Sequence, residues 1–488
     1  MKKIWKYIVI SLLLTLGLFC VGILYIFFVP GATLFNITYI NYNKHQESNK
    51  YLADYASNIV INSRAYETKV YYSEDETIYL KAYSNSFGFV HKANNRFEVK
   101  TKQDYSTLTF TVIEPHGFAT NNNSYIELFL PETQTYNLTI SNFKAKTTIN
   151  SAKVKINNLT YSTTKGDFNF AKGELKGNLN LNLNKSDFKI SKDVITNEND
   201  VNLKISTGSF SARNSNLGDV SISSNTRGKI NLGECKDIRS NHKSSGGQIS
   251  ATKVQHVSIT AGDTIVSLDE VTNAASIDMK NSGRVSIKKL SGVSSISTNS
   301  GNINLGTTLS PVTVKSESGN IKITDAYKTI SLTSNYGDST VSFSESAPSY
   351  TENTSSRVLY ASIRNGSLTA NGIEHIGEVN NSTESSTGGV KIRGNGRVLL
   401  NMNNVYGVNS ASGNNGNLKI VLNKASQYIL NTQSSGGSVR VNLTQISEYN
   451  GYTNKELRTT CVNCSSSQNT LTATTGYGYL TVLDTNFA

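Results

Sequence analysis

The sequence is poor in charge and in the residues from which helical enzymes are built. Only 17% of its 488 residues are charged and 37% are hydrophobic, whereas about a quarter of a typical globular protein is charged. Proline occurs 5 times, cysteine 4 times, methionine 3 times and tryptophan once. Disorder is disfavoured by the 25 tyrosines and 17 phenylalanines, because a chain that never packs carries few aromatics. This mixture favours a β-rich repeat protein.

Positive charge is in excess but is not concentrated. Lysine and arginine number 47 against 35 aspartates and glutamates, a net charge of +12. A nucleic-acid interface needs a dense basic cluster with interleaved aromatics, and the sequence has no such stretch. We therefore predict a mildly basic, solvated surface and no nucleic-acid partner. Weak attraction to anionic envelope polymers or lipid headgroups is the alternative.

One long apolar run without charge lies near the N-terminus. It starts at Ile8 and ends at Val29, and as a helix its 22 residues extend about 33 Å. The hydrocarbon core of a bilayer is about 30 Å thick, so the run is long enough to span it. A cleavable signal peptide is the alternative, although its apolar core is usually about 7–15 residues long. The length favours an uncleaved signal anchor.

The charges around this run predict its orientation. Lys2, Lys3 and Lys6 precede it, and no comparable block of charge follows it. By the positive-inside rule, residues 1–7 form a cytoplasmic tail and residues 8–29 a transmembrane helix, with everything after residue 30 outside the cytoplasm. The predicted location is therefore the cell membrane, with a single pass.

The exported part divides into three predicted regions. Residues 30–57 include a polar stretch and predict a stalk or linker, with a short helix as the alternative. Residues 58–146 contain short runs of period two bounded by Gly, Asn, Pro or Asp, which is typical of strands and turns. This β-rich cap region either starts the repeat or forms a small β-sandwich of its own. Residues 147–488 carry the repeats.

The repeat is clearest around four glycines, Gly283, Gly301, Gly319 and Gly337, which recur at a constant spacing of 18 positions. Apolar residues recur at similar offsets around these glycines, although Ser294 and Ser339 break the pattern and the pair before Gly283 is shifted by one position. Around Gly319 the apolar residues are Val312, Val314, Ile321 and Ile323. Each unit therefore holds two short strands and a turn, in which we expect the glycine to adopt positive φ. Such strands bury their apolar face only by stacking. The predicted fold class is all-β, with a parallel β-helix or β-solenoid ectodomain.

These units resemble a known family. NSGNINL (residues 299–305), ESGNIKI (317–323) and SSGGSVRVNL (434–443) are similar to units of the bacterial putative-adhesin family with β-strand repeats. The resemblance implies a β-helical domain, often presented at the cell surface or envelope. It provides no catalytic residues, and adhesion is implied only by the family's label.

The sequence lacks the spacings that most site chemistries need. It has 6 histidines, no two within four residues of each other, and it has no GxSxG elbow or phosphate-binding loop. We predict no cofactor, no metal site and no catalytic residues. Because many β-solenoids cleave polysaccharides, a carbohydrate-active enzyme is kept as an alternative. The nearest group of carboxylates and bases is best interpreted as solvated surface, and it comprises Asp263, Asp269, Glu270, Arg284 and Lys288.

The cysteines predict one local disulfide. Cys461 and Cys464 fit a redox pair, half of a zinc site or a disulfide. No thioredoxin-like unit and no second cysteine pair accompanies them, and an oxidising exterior favours the disulfide. Cys20 lies in the apolar run, and Cys235 is left over, for which we expect burial.

Together these features predict an adhesin-like surface or envelope protein that binds a polysaccharide or protein ligand. Loops that interrupt the period, residues 344–356 and 448–467, are the expected partner contacts. Deleting either loop is expected to weaken binding without unfolding the repeats. An envelope scaffold or signalling ectodomain with a membrane partner is the remaining alternative.

Overall fold

The structure is a computed structural model that describes residues 2–29, 32–34, 36–91, 95–117, 121–242, 246–377, 389–423, 425–444, 446–452, 458–463 and 468–487. Strands account for 65% of it and helix for 6%. The chain forms two compact units, Met1–Asn216 and Leu217–Ala488. The predicted all-β solenoid preceded by one helix is confirmed.

Unit 1 begins with an apolar helix and continues in strands. Its elements are α1 (Lys2–Phe28), β1 (Thr33–Leu34), β2 (Ile37–Glu47), β3 (Tyr51–Leu52), a 3₁₀ turn (Ala53–Tyr55), β4 (Asn58–Ser63), β5 (Glu67–Ser73), β6 (Thr77–His91), β7 (Glu98–Asp104), β8 (Thr107–Ile113), β9 (Asn121–Asn122), β10 (Tyr125–Pro131), β11 (Tyr136–Asn142), β12 (Lys146–Thr163), β13 (Phe168–Leu175), β14 (Leu179–Leu183), β15 (Ser186–Thr196), β16 (Asn199–Ile205) and the first part of β17 (Gly208–Asn225).

Unit 2 holds the rest of β17 and strands only. They are β18 (Lys229–His242), β19 (Gln248–Ala261), β20 (Ile265–Met279), β21 (Arg284–Leu290), β22 (Ser294–Thr298), β23 (Ile303–Thr308), β24 (Val312–Ser316), β25 (Ile321–Ala326), β26 (Ile330–Ser334), β27 (Asp338–Phe343), β28 (Leu359–Ile363), β29 (Ser367–Ile373), β30 (Val390–Ile392), β31 (Arg397–Met402), β32 (Val408–Gly413), β33 (Asn417–Leu422), β34 (Tyr428–Ser434), β35 (Ser438–Leu443), β36 (Ile446–Tyr452), β37 (Arg458–Val462), β38 (Thr470–Thr475) and β39 (Tyr479–Asp484).

The repeats of unit 2 stack as parallel coils. Ile303 pairs with Ile321 and Ile296 with Val314, so equivalent residues 18 positions apart lie directly above one another. Each coil contributes one strand to a first sheet (β21, β23, β25) and one to a second sheet (β22, β24, β26). In β24 every second side chain is buried, because alternate residues of a strand point to opposite faces. The inward aliphatics of both sheets form the core.

The turns at Gly301, Gly319 and Gly337 are held by buried hydroxyls three residues before each of these glycines. The backbone nitrogen of one turn also donates to a carbonyl of the turn below, as from Ser318 to Asn299 at 2.8 Å. The hydroxyl contacts are Thr298 to the Gly301 carbonyl, Ser334 to the Gly337 carbonyl, and the Gly319 N–H to Ser316, at 2.6, 3.1 and 2.8 Å.

Both units depart from simple sequential stacking near one chain end. In unit 1, β4 lies between β8 and β11, and β5 lies between β10 and β12. In unit 2, β39 lies between β33 and β35, and β38 between β32 and β34. The outermost coil is covered by antiparallel strands in each case: β7 and β6 in unit 1, β37 and β36 in unit 2.

The region predicted as a stalk is partly a strand, and that prediction is wrong for residues 37–47. β2 pairs antiparallel with β6 along its whole length, and Thr38 and Ile40 are buried. The run misleads because its solvent-facing positions are polar and only a few inward positions are apolar. The boundary between cap region and repeats at residue 146 stays a prediction. Strands before it pair with β12, which starts there.

α1 agrees with the predicted membrane segment. Residues Trp5–Phe28 form a helix whose most apolar stretch has a mean hydropathy of 2.6 and is exposed, whereas Ile26 near its end is buried. Its length and composition suit either a single-pass membrane anchor or a signal sequence.

Candidate ligand-binding groove

The outward face of the second sheet of unit 2 carries a column of hydroxyl groups. Ser258, Ser276, Ser295 and Thr313 occupy the same register on β19, β20, β22 and β24 and are exposed. Neighbouring parallel strands are about 4.8 Å apart, so the column offers one hydroxyl per coil at that interval. We name the depression above these four residues the hydroxyl groove.

One side of the groove changes from charged to apolar along the stack. The charged end is formed by Asp237 and His256, and the apolar part by Ala274 and Val293, whose side chain is 68% exposed. The cavity between these residues and the hydroxyl column has a volume of about 410 Å³. Ligand sites of proteins have volumes of about 300–1,000 Å³, so the groove is large enough to hold a small ligand or a short stretch of polymer.

The charged end is a hydrogen-bonded network. Arg239 donates to Asp237 at 2.6 Å and lies 3.3 Å from Asp219, and the Nδ1 atom of His256 lies 3.0 Å from Asp237. The Nε2 atom of His256 is 3.2 Å from the amide of Asn273. A neutral imidazole with its hydrogen on Nδ1 satisfies both contacts, since Nδ1 then donates to the carboxylate and Nε2 accepts from the amide.

The pKa of Asp237 reflects this network. Partial burial raises the pKa, but the hydrogen bonds from Arg239 and His256 more than offset it, so the pKa lies below the usual value for aspartate. The carboxylate is therefore ionised at neutral pH and remains an acceptor. With its hydroxyl column, the groove combines hydrogen-bond donors and acceptors with a mainly apolar lining, which suits a hydroxyl-rich or amide-containing ligand that also presents apolar surface.

The four glycines of the repeat have a role different from the predicted one. None of them has positive φ, so that prediction is wrong. A Cβ atom built on Gly301 would lie 1.6 Å from the carbonyl oxygen of Gly283, and on Gly319 it would lie 2.0 Å from that of Gly301. Gly337 stands in the same relation to Gly319, at 2.1 Å. Glycine is required there because successive turns stack too closely for any side chain.

The carboxylates considered for catalysis each have a partner of their own. Asp269 lies 2.8 Å from Lys288, and Glu270 lies 2.8 Å from Lys289 on the neighbouring strand. Asp263 accepts a hydrogen bond from the backbone of Ser282 at 2.9 Å. The hydrogen bond from Lys289 is the main cause that lowers the pKa of Glu270. These contacts are solvated ion pairs and a turn contact.

The loop at residues 344–356 is tied down by a buried arginine. Arg357 donates to the Ala347 carbonyl through both Nε and Nη2, at 3.2 and 3.0 Å. It also lies 3.7 Å from Glu374, which accepts from the Tyr350 N–H at 2.7 Å. The side chains of Arg357 and Glu374 are only 9% and 7% exposed. Deleting this loop would remove the Ala347 carbonyl from Arg357 and the Tyr350 N–H from Glu374, so we now expect the deletion to cost stability; that the repeats remain folded without the loop stays a prediction.

A ring cluster lies beside this loop. Tyr350 stacks on His375 with 4.4 Å between ring centroids, and the Nδ1 atom of His375 is 2.7 Å from the Tyr406 carbonyl. Burial lowers the pKa of His375, and the Tyr406 contact offsets this only in part. The histidine is neutral at pH 7 and donates from Nδ1.

The second predicted contact loop, residues 448–467, contains strands. β36 and β37 pair antiparallel with β35 and β34 and cover the edges of the last coil. Cys461 lies on β37, whereas Cys464 lies outside the described residues, so the disulfide between them stays a prediction. Cys235 is buried, as expected, and burial raises its pKa to about 12, which makes its thiol unreactive.

The comparisons with known proteins agree with this architecture. The family model described as Toastrack DUF4097 matches residues 56–233 and again residues 204–380. The chain belongs to the Toastrack DUF4097 family. The family resemblance drawn from its repeat units is thereby confirmed.

Other comparisons with this Toastrack protein are less informative. No curated protein matches it. A crystal structure described as a putative cell adhesion protein from Clostridium sporogenes is 7% identical and covers 91% of this chain and 100% of its own, with a TM-score of 0.15. A putative adhesin from Parabacteroides distasonis is 8% identical and covers 91% and 97%, with a TM-score of 0.17. Overlaps of this quality carry no argument about fold or function.

The groove of the Toastrack protein was not found by sequence reasoning, although a signal for it exists. Ser258, Ser276, Ser295 and Thr313 recur at nearly the same interval as the glycines of the repeat. Alternation along a strand predicts only that these polar residues face outward, and it does not predict a groove. The network around Asp237 has no local signature, because its members come from successive coils.

Proposed function

We propose that this protein is a membrane-anchored, adhesin-like binding protein whose folded part lies outside the cytoplasm. Lys2, Lys3 and Lys6 precede α1, which supports a cytoplasmic N-terminus by the positive-inside rule. The helix is then an uncleaved anchor. The hydroxyl groove carries the proposal of binding, since it is a cavity of suitable size, lined by hydroxyls and apolar groups, on the regular face of a stacked solenoid.

The ligand is a polysaccharide or a protein of the surface or envelope. Hydroxyls that recur once per coil suit an extended, repeating partner, because each step along the stack meets an equivalent donor and acceptor. Val293 supplies apolar contact beside them. The charges at the end of the groove are paired, as between Arg239 and Asp237, so the affinity should depend weakly on salt.

Binding rather than catalysis is supported by the carboxylates. Asp269 and Glu270 lie in exposed ion pairs with lysines of the neighbouring strand. Incubating the purified chain with envelope polysaccharides should release no new reducing ends. Their appearance would instead favour the carbohydrate-active enzyme.

The binding proposal is tested by a matched pair of substitutions on one strand. Ser276→Glu places a bulky charge in the groove, whereas Ser267→Glu places the same charge on the opposite sheet of the same coil, where Ser267 is also exposed. In pull-downs with isolated wall polymers and with intact cells, the amount of bound chain should fall about tenfold with Ser276→Glu and remain unchanged with Ser267→Glu. Equal retention by both variants would contradict the groove as the binding site.

A further inference from the structure

A row of aromatic rings runs from the end of α1 onto the ribbon formed by β2 and β6. The rings of Phe27 and Tyr39 have centroids 4.4 Å apart, and those of Tyr39 and Phe89 are 5.4 Å apart. Tyr39 and Phe89 are directly opposite each other in the antiparallel pairing. The folded part of unit 1 therefore contacts the helix through an unbroken line of rings.

The ribbon continues this row with an exposed phenylalanine. Phe87 points to the same face as Phe89, two residues away, and its side chain is 46% exposed. The residues opposite it and next along β2 on this face are Asn41 and Asn43, which are exposed and uncharged. Tyr25 and Phe28 at the end of the helix are 57% and 73% exposed. Aromatic side chains are thus presented to the surroundings on both the helix end and the ribbon.

The position of these rings matches the interfacial region of a bilayer. A bilayer is about 40–45 Å thick with its polar regions and about 30 Å without them, which leaves a layer of about 5–7.5 Å on each side. Aromatic rings are enriched in that layer because their apolar faces contact the hydrocarbon while their edges tolerate the polar headgroups. If α1 ends at the hydrocarbon boundary, rings that begin on Phe27 and step by about 5 Å reach into this layer.

We propose that Tyr39, Phe89 and Phe87 are embedded in the headgroup region of the outer leaflet, so that unit 1 lies directly on the membrane surface. This inference rests on the membrane anchor of the proposed function. The occupant is the lipid interface itself, since the rings are continuous with the membrane helix. Because Asn41 and Asn43 are uncharged, the contact does not require anionic lipid, and zwitterionic phosphatidylcholine is sufficient.

The test places single tryptophans in the full chain. Trp5 is the only tryptophan, so Trp5→Phe gives a silent background. In this background Phe87→Trp reports on the ribbon, and Tyr105→Trp is the control, since Tyr105 is 95% exposed in the turn between β7 and β8. Each chain is reconstituted into phosphatidylcholine vesicles, some of which contain phosphatidylcholine with a nitroxide on its headgroup. The nitroxide quenches tryptophans that lie in the headgroup layer.

We expect quenching of the Phe87→Trp chain to exceed that of the Tyr105→Trp chain by at least about twofold, as interfacial burial requires. Phe89→Trp should behave like Phe87→Trp and guards against a folding defect of one variant. If the ribbon and control chains both float with the vesicles, they are membrane-bound. Equal and weak quenching of the two would then overturn the inference and leave the anchor intact. Loss of the segment that ends at Val29, seen by mass spectrometry of the chain extracted from membranes, would overturn the anchor and the inference together.

Discussion

At the residue scale, the most constrained positions are the stacked glycines. The row continues beyond Gly337, because a Cβ on Gly366 would lie 2.0 Å from the Gly337 carbonyl. Near the C-terminus a Cβ on Gly478 would lie 1.9 Å from the Gly416 carbonyl. The clashing atoms belong to backbone, which cannot rotate away as a side chain can. A single methyl group therefore has to push two coils apart.

The first prediction concerns Gly319→Ala. We expect it to destabilise unit 2 by about 3 kcal/mol, the upper end of the usual cost of overpacking, because the clash is with fixed backbone. Gly246→Ala is the control, because the nearest atom to its Cβ would be 3.7 Å away and its φ is not positive. Thermal unfolding followed by circular dichroism compares the two variants. Similar melting temperatures for Gly319→Ala and Gly246→Ala would contradict close stacking of the turns.

A buried tyrosine gives unit 1 a pH dependence. Burial raises the pKa of Tyr136 from 10.0 to about 12, and its hydroxyl donates to the Pro131 carbonyl at 3.2 Å. The folded state thus favours the neutral phenol. The stability that this provides is complete below pH 10 and is lost as the pH rises through about 12.

The second prediction follows from this raised pKa of Tyr136. Tyr136→Phe should lower the free energy of unfolding at pH 7 by about 1 kcal/mol through the lost hydrogen bond. It should also make the decline of stability above pH 10 shallower. Tyr105→Phe, at an exposed position, should change neither quantity. Denaturant titrations at pH 7, 10 and 11 measure both. An unchanged slope above pH 10 in the Tyr136→Phe chain would show that its phenol ionises equally easily in the folded and unfolded states.

At the scale of elements, each unit closes one of its ends in the same way. An inserted coil lies second from the end, and antiparallel strands cover the outermost coil. Uncovered edges of parallel sheets would recruit other strands, so covering them prevents edge-to-edge association. β7 carries exposed Lys100 and Lys102, charges that oppose further pairing at the new edge.

The third prediction concerns the buried ion pair that holds the loop before β28. Arg357→Ala should destabilise unit 2 by about 3–5 kcal/mol, because Glu374 is left charged and buried without its partner. Lys288→Ala removes an exposed ion pair with Asp269 and should cost no more than about 1 kcal/mol. Chemical denaturation of both variants provides the comparison. Equal costs would mean that the pair around Arg357 is hydrated in the folded protein.

At the scale of the whole molecule, the proposed anchor would decide which compartment the strands occupy. The fourth prediction is that protease added to intact cells digests the strands and leaves an N-terminal tag protected, because Lys2, Lys3 and Lys6 retain the N-terminus inside. Digestion of the tag in intact cells would reverse the orientation. Replacing the three lysines with glutamate should weaken the bias and serves as the control.

The sequence alone determined the repeat, its regular period and the apolar segment, because these depend on local alternation and on composition. The inward positions around Gly319 could be read directly, as Val312, Val314, Ile321 and Ile323 are all buried. Only the tertiary structure decided which coil lies on which near the chain ends. A repeat period predicts that coils stack but does not predict their order. For example, β39 pairs with β33, although β35 lies between them in the chain.

The same distinction explains the remaining differences. Glycine is needed at Gly301 because of stacking, since the carbonyl that excludes a side chain belongs to the coil below. The hydroxyl groove likewise depends on side chains from successive coils. The strand of residues 37–47 depends on its partner β6, which is distant in sequence. Local sequence sets which face of a strand is apolar, whereas neighbours distant in sequence set what each outward side chain meets.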